Sequence, residues 1–243
     1  MAGLTVNIDQ IATLRMSRKA SSPDPVAGAI LAELAGADGI EASLRGDRQY
    51  IQDRDIRILR HVVQTKLILK MASSPEMAGV AMNVKPDFVT LVPEKREEFT
   101  AEGGLDLMVH QNMVAETIGT LQNSGIPVSV LIDPDPEQIK LAHQINVPMV
   151  DIHTGTYCGA TTSMRRNQAF SKIVDAVKLA HRLKIIVNAA QGLCYTTIKD
   201  FKGLPEINGF IIGHSIISRA VFVGMEKAVK EMKDLIKELQ VEV

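Results

Sequence analysis

Short apolar segments alternate with longer helical patterns eight times along this chain of 243 residues. The apolar segments have the length of buried strands, and the stretches between them carry apolar residues at helical spacing. Strands that alternate with helices pair in parallel through right-handed crossovers. At this length the pattern predicts one domain over residues 1–243, an α/β fold of the closed (β/α)8 TIM-barrel type. A doubly wound open sheet is the alternative architecture.

The predicted strands are short and rich in Val, Ile and Leu. They are Leu4–Ile8, Gly39–Leu44, Leu67–Met71, Phe88–Val92, Val128–Ile132, Met149–Ile152, Ile185–Val187 and Gly209–Ile212. The helical patterns between them cover Pro25–Ala35, Ile51–Gln64, Pro75–Asn83, Met113–Asn123, Pro136–Ile145, Gln168–Arg182 and Val223–Leu239.

Charge and composition narrow the classes of function. The formal net charge is −1, so no basic field favours nucleic acid or an anionic membrane surface. No apolar run reaches the roughly 18 residues of a membrane span, and the first residues lack the layout of a signal peptide. The two cysteines, Cys158 and Cys194, do not have the spacing of a metal site. We therefore expect a reduced, cytoplasmic protein without a bound metal.

Polar residues collect where the predicted strands end. They are Asn7, Asp9, Ser43, Arg45, Lys70, Glu94, Lys95, Arg96, Asp133, Asp135, Asp151, His153, Asn188, Gln191, Gly213 and His214. In a parallel barrel these ends meet at one mouth, where barrel enzymes have their active sites. The pattern favours a polar pocket, and the alternative is that these residues only cap the following helices.

The segment Val6–Arg15, with the sequence VNIDQIATLR, resembles the start of the pyridoxine 5′-phosphate synthase family. The similarity continues in order through Leu91–Arg96, Ile132–Asp135, Ile152–Gly155 and Gly213–Val221. The resemblance implies a cytoplasmic TIM barrel with extra helices that assembles as a homo-octamer. It implies condensation of 1-deoxyxylulose 5-phosphate with 3-amino-2-oxopropyl phosphate, without a metal or an organic cofactor.

The resemblance also implies a set of binding residues. Asn7, Asp9, Arg18, Arg45, Thr100, Gly192, Gly213 and His214 match binding positions of the family, and Gln10, Tyr50 and His153 are further candidates for contact with the substrate. Glycines that precede a helix let backbone N–H groups approach a phosphate, although a glycine can also simply end a strand. A small phosphorylated substrate is therefore the expected partner.

The departures from the family fall on its acid–base positions. The family has histidines where this chain has Gln10, Ser43, Tyr50 and Gln191, and glutamates where it has Gly46, Lys70 and Asp151. Glutamine does not exchange protons near neutral pH, and serine requires a separate base. Loss of one such group typically lowers a rate by a factor on the order of 10²–10⁴. We therefore expect the ordinary condensation to be severely impaired.

Lys70 is the least expected residue of this set. Strand alternation places Glu41 on the same inward face as Ser43, so Glu41 and Lys70 are expected on adjacent strands. Lys70 is then an ion-pair partner of Glu41, a simple cation for an anionic ligand, or a nucleophilic amine with Glu41 or Asp151 as proton shuttle.

Three functions remain open on this basis. The first is altered condensation, aldol-type or dehydration chemistry on a phosphorylated carbonyl or amino-ketone compound, with Lys70, Glu41, Asp151, Ser43 and Gln191 as the catalytic group. The second is binding of a phosphorylated ligand without catalysis. The third is pyridoxine 5′-phosphate synthesis with a changed set of proton-transfer groups.

Overall fold

Eight parallel strands close into a barrel in the computed structural model, which describes residues 2–93 and 103–239. The strands are β1 Gly3–Asn7, β2 Gly39–Ser43, β3 Leu67–Ala72, β4 Phe88–Val92, β5 Val128–Ile132, β6 Met149–His153, β7 Ile186–Ala190 and β8 Ile207–Ile212. Each strand pairs with its sequence neighbours, and β1 also pairs with β8. The predicted TIM barrel is confirmed, and the open sheet is excluded.

Helices follow the strands around the outside of the barrel. In the described residues they are α1 Asp9–Ser17, α2 Pro25–Leu34, α3 Asp53–Val62, α4 Pro75–Val84, α5 Leu107–Asn123, α6 Pro136–Gln144, α7 Gly155–Cys158, α8 Ser163–Arg182, α9 His214–Val223 and α10 Met225–Glu238. A 3-10 helix covers Thr197–Phe201. Asp24, Ser74 and Asp135 cap α2, α4 and α6, and each is followed by a proline at the first helical position.

The structure corrects several element bounds. Strand β7 runs over Ile186–Ala190 rather than Ile185–Val187. Asn188, Ala189 and Ala190 have little preference for strands, but pairing with β6 and β8 holds them extended. The helix predicted over Val223–Leu239 begins at Met225, because Gly224 has a φ of 82° and separates α9 from α10.

Helix α1 was not predicted, because its buried face contains a charged residue. We call the ion pair between Arg15 and Asp55 the anchor of α1. The buried face of α1 contains Arg15 beside Ile11 and Ala12. The Arg15 guanidinium donates two hydrogen bonds, of 2.9 and 2.7 Å, to the Asp55 carboxylate on α3. A buried arginine is tolerated because this partner satisfies it. The partner lies 40 residues away in sequence, so local spacing did not reveal it.

The main hydrophobic core lies between the strands and the helices, and Leu131, Ala190 and Ile211 form a separate small cluster. Leu4, Ile40, Leu67 and Val89 are fully buried on the four successive strands β1 to β4. Within residues 2–93 and 103–239, no helix has both the length and the apolar character that a membrane span requires.

Candidate functional site

A cavity of about 1260 Å³ opens where the strands end and the following loops begin. Twelve of the residues predicted for the site line it: Asn7, Asp9, Gln10, Glu41, Ser43, Arg45, Tyr50, Lys70, Gln191, Gly192, Gly213 and His214. Polar strand ends therefore form one pocket rather than only scattered helix caps. Sequence reasoning missed Thr13, Asp47, Glu76 and Ser215, which also line the cavity but lie on loops and helices where no strand-end signal marks them.

Asp9 organises one side of the cavity. Its carboxylate accepts hydrogen bonds from the Ser43 hydroxyl at 2.5 Å, the Ser43 backbone N–H at 2.8 Å and the Asn7 amide at 2.9 Å. Helix α1 begins at Asp9 directly after β1, so the carboxylate turns towards the end of β2. Serine alone is a poor proton carrier, but here its hydroxyl has a carboxylate acceptor within hydrogen-bond distance.

Glu41 and Lys70 lie together on the inner face of β2 and β3, as strand alternation predicted. The Lys70 Nζ is 3.8 Å from Glu41 Oε2, which forms an ion pair but is too long for a hydrogen bond. The same oxygen accepts a 2.7 Å hydrogen bond from the Asn7 amide. Glu41 is buried, whereas the Lys70 side chain is 13% exposed and faces the cavity.

Burial raises the pKa of Glu41, and this effect exceeds the opposing influence of Lys70 and the hydrogen bond from Asn7. A carboxyl with a raised pKa can hold or release a proton closer to neutral pH than an ordinary glutamate can. Glu41 is therefore suited to proton transfer beside a cation.

Asp151 lies in the barrel interior and does not line the cavity. Its carboxylate accepts hydrogen bonds from Asn188 at 2.8 Å, Ser129 at 3.0 Å and Thr90 at 3.1 Å. Burial raises its pKa against these bonds and against the charge of Lys70. Asp151 would therefore act on a ligand in the cavity only through an intervening group. Its catalytic role stays a prediction.

The turns that follow β7 and β8 also line the cavity. We call the part of the cavity lined by Gln191, Gly192 and Gly213 the glycine corner. Gln191 and Gly192 follow β7 with φ values of 77° and 81°, in the left-handed region that non-glycine residues rarely adopt. Gly213 precedes α9, and a Cβ there would lie 2.8 Å from Gln10 Oε1 and 2.9 Å from the Asn7 carbonyl oxygen. Only glycine fits at this position.

Backbone donors face this corner. The first N–H groups of α9, after Gly213, have no partner within the helix, as at any helix N-terminus. Gln10 Oε1 is buried and has no hydrogen-bond partner among the described residues. A glutamine amide can turn to present its NH2 group to an acceptor. The corner therefore offers donors that suit an anion such as phosphate.

The other predicted residues have different surroundings. Arg18 is exposed after α1 and does not line the cavity, and Thr100, Glu94, Lys95 and Arg96 lie outside the described residues. His153 is 3% exposed, with Nδ1 3.6 Å from Asp133 Oδ1. Binding roles for these residues stay predictions. Among residues 2–93 and 103–239, no group of three His, Cys, Asp or Glu side chains is placed to hold a metal ion.

Comparison with known sequences gives matches along nearly the whole chain. Residues 4–238 match the family model described as "Pyridoxal phosphate biosynthesis protein PdxJ". A protein of Desulforapulum autotrophicum named pyridoxine 5′-phosphate synthase is 53% identical over 98% of this chain and 100% of its own length. A protein of the same name from Geobacter sulfurreducens is 50% identical over 98% of this chain and 99% of its own length.

Solved structures support the architecture. The chain resembles KGPDC from Streptococcus mutans with a TM-score of 0.69 at 16% identity, covering 99% of this chain and 100% of that one. It resembles thiamine phosphate pyrophosphorylase from Pyrococcus furiosus with a TM-score of 0.62 at 15% identity, covering 98% and 97%. At these identities the likeness shows a shared barrel fold and nothing about activity.

Proposed function

Because the chain belongs to the family of the pyridoxal phosphate biosynthesis protein PdxJ, we propose that it acts on a small phosphorylated carbonyl or amino-ketone compound. The proposed chemistry is an altered condensation, aldol-type or dehydration reaction centred on Lys70. The observation that carries the proposal is the Lys70–Glu41 pair, which faces a cavity that is also lined by the turns at Gly192 and Gly213.

The phosphate group of the substrate would bind at the glycine corner. The N-terminus of α9 would supply backbone donors, the turn at Gln191–Gly192 lines the same cavity, and Gly213 leaves room for close approach. Arg45 also lines the cavity, where its guanidinium pairs with the Asp47 carboxylate at 3.0 Å. Phosphate binding at one end would direct the rest of a small substrate towards β2 and β3.

The carbonyl group would then lie near Lys70. An ammonium close to a carbonyl oxygen stabilises the negative charge that develops when a proton leaves the neighbouring carbon. Glu41 is the base that the geometry offers, since its carboxylate is 3.8 Å from Lys70 Nζ and its pKa is raised by burial. The same carbanion step begins aldol, dehydration and condensation reactions, so the Lys70–Glu41 pair could take part in all three reaction types.

The ion pair also favours one role for Lys70 over another. A nucleophilic lysine must be neutral to form an imine, but an adjacent carboxylate favours the charged ammonium. The cation role therefore fits the observed geometry better. Sodium borohydride in the presence of a phosphorylated ketone tests this, because only an imine would leave a permanent adduct on the peptide that contains Lys70.

Turnover of a panel of phosphorylated ketones and amino-ketones, followed by mass spectrometry, tests the proposed function. We expect Lys70→Met to lower turnover by a factor on the order of 10²–10⁴, and Lys70→Arg to retain part of it. Gly79→Ala is the control, because a Cβ at Gly79 would contact nothing within 4 Å. Tight binding of these compounds without any turnover by the unmodified protein would support a non-catalytic binding protein instead.

Pyridoxine 5′-phosphate synthesis itself is the second candidate. Relatives that are 53% and 50% identical carry that name, which favours it. Rescue of a pyridoxine auxotroph, and product formation from the two phosphorylated compounds that the family resemblance implies, would support it. Absence of rescue together with turnover of another phosphorylated ketone would support altered chemistry. A cytoplasmic homo-octamer is proposed on the same family membership.

A further inference from the structure

Two free cysteines flank one buried hydroxyl at the edge of the cavity. Thr197 Oγ1 lies 3.4 Å from Cys194 Sγ and 3.9 Å from Cys158 Sγ. Cys194 lines the cavity, and Cys158 is the last residue of α7. The two thiols are far apart in sequence, but the loops after β6 and β7 bring them to the same hydroxyl.

The two thiols differ in acidity. Partial burial tends to raise the pKa of Cys194, but hydrogen bonds from the hydroxyl and backbone N–H groups of Thr196 and Thr197 outweigh it and lower the pKa to about 7. Burial raises the pKa of Cys158. Since the thiolate is the nucleophile, Cys194 is the group that reacts first with an oxidant. Cys158 is then the neighbouring thiol that can react with the oxidised sulfur.

The turn that carries Cys194 packs directly on Cys158. A Cβ at Gly192 would lie 2.9 Å from Cys158 Cβ, so no larger residue fits between them. Gln191 and Gly192 both have positive φ, which holds the turn in a restricted conformation. We therefore expect a bond between the two sulfur atoms to strain this turn.

We propose that Cys194 and Cys158 form a reversible disulfide on exposure to a hydroperoxide, and that this bond displaces the turn at residues 191–194. The Cys194 thiolate attacks one oxygen of the hydroperoxide, and the O–O bond breaks. The other oxygen leaves as an alkoxide, or as hydroxide from hydrogen peroxide, and takes up the proton that the thiol released, while Cys194 becomes a sulfenic acid. Cys158 sulfur then attacks Cys194 sulfur, the S–S bond forms and the S–O bond breaks. The departing hydroxide takes the proton of Cys158 and leaves as water.

With hydrogen peroxide, the overall change consumes two thiols and one peroxide and gives one disulfide and two waters. Sulfur loses the two electrons that the peroxide gains, and a dithiol reverses the reaction. Formation of the bond requires the two sulfurs to approach to about 2.05 Å, and it replaces their contacts with the Thr197 hydroxyl. The proposal does not depend on the proposed function, because neither step involves a substrate.

Hydrogen peroxide treatment of the reduced, full-length protein tests the proposal. After alkylation of free thiols and digestion without reductant, we expect one crosslinked peptide pair that joins Cys158 to Cys194 and separates on addition of dithiothreitol. Amide hydrogen exchange of residues 191–194 should rise on oxidation and return to its original level on reduction.

Single variants separate the two roles. In Cys158→Ser, Cys194 should remain as a sulfenic acid that dimedone traps. In Cys194→Ser, Cys158 should react with peroxide at least about tenfold more slowly than Cys194 does in the other variant. The proposal is overturned if peroxide gives no intramolecular crosslink, if Cys158 reacts as fast as Cys194, or if the crosslink forms without a change in exchange at residues 191–194.

Discussion

The buried carboxylate of Glu41 makes stability depend on pH in a predictable direction. The side chain is 2% exposed, and burial raises its pKa above the ordinary 4.5, beyond the lowering by Lys70 and Asn7. The folded protein therefore holds this proton at a pH where the unfolded chain has lost it. The stabilisation is fully present below about pH 4.5 and is lost as the pH rises through the pKa of the folded state.

The magnitude follows from linkage. Between the unfolded and the folded pKa of Glu41, the free energy of unfolding falls by about 1.4 kcal/mol for each pH unit. Glu41→Gln keeps the size and hydrogen-bonding capacity of the neutral side chain but cannot ionise. The free energy of unfolding of Glu41→Gln should equal that of the parent near pH 4.5 and should exceed it increasingly as the pH rises. Because Asp151 interacts electrostatically with Glu41, the difference reports on the coupled pair.

Urea denaturation followed by circular dichroism between pH 4.5 and pH 8 measures this difference. Glu226→Gln is the matched control, because Glu226 is exposed on α10 and Lys230 lowers its pKa. Relative to the parent, the free energy of unfolding of Glu226→Gln should not increase as the pH rises. Parallel pH curves for the parent and Glu41→Gln would refute the reasoning. A variant less stable by about 3–5 kcal/mol at pH 7 would also refute it, since that is the effect of breaking a fully charged buried pair.

Two further predictions concern the glycine corner and the anchor of α1. Gly213→Ala should weaken binding of inorganic phosphate at least about tenfold by calorimetry, through loss of close backbone contacts worth about 1.4 kcal/mol or more. Gly79→Ala is the control and should leave the affinity for phosphate unchanged. Equal affinity in both variants would contradict a phosphate site at the glycine corner. Asp55→Asn should lower the free energy of unfolding by about 3 kcal/mol, because it leaves the buried Arg15 guanidinium without its charged partner. Asp234→Asn, at an exposed ion pair, is its control in urea denaturation, and a loss below about 1 kcal/mol for Asp55→Asn would contradict the assignment.

The sequence predicted the barrel well because barrel strands are buried on both faces. Strands β4 and β5 have the predicted bounds, since each is apolar except for one hydroxyl residue, Thr90 or Ser129, and lies between Asp or Pro residues. Strand β7 was misplaced, because barrel closure, and not residue preference, keeps Asn188–Ala190 extended. Helix α1 was missed, because a distant carboxylate compensates its buried arginine.

The site was predictable to the extent that strand alternation determines it. Alternation placed Glu41 beside Lys70, and the structure confirms this pair. It did not separate Asp151, which bonds to Ser129 and Asn188 in the interior, from the residues that line the cavity. The Ser43–Asp9 contact and the shared contact of both cysteines with Thr197 depend on loop geometry, which residue spacing does not specify.

A crystal structure of the protein soaked with dihydroxyacetone phosphate, a small phosphorylated ketone, tests the central claim most directly. We predict phosphate density within hydrogen-bond distance of the backbone N–H groups that follow Gly213, and the carbonyl oxygen directed at Lys70 Nζ. Phosphate density that contacts Lys70 while the corner at Gly213 stays empty would contradict the account, and so would a carbonyl group that points away from Lys70.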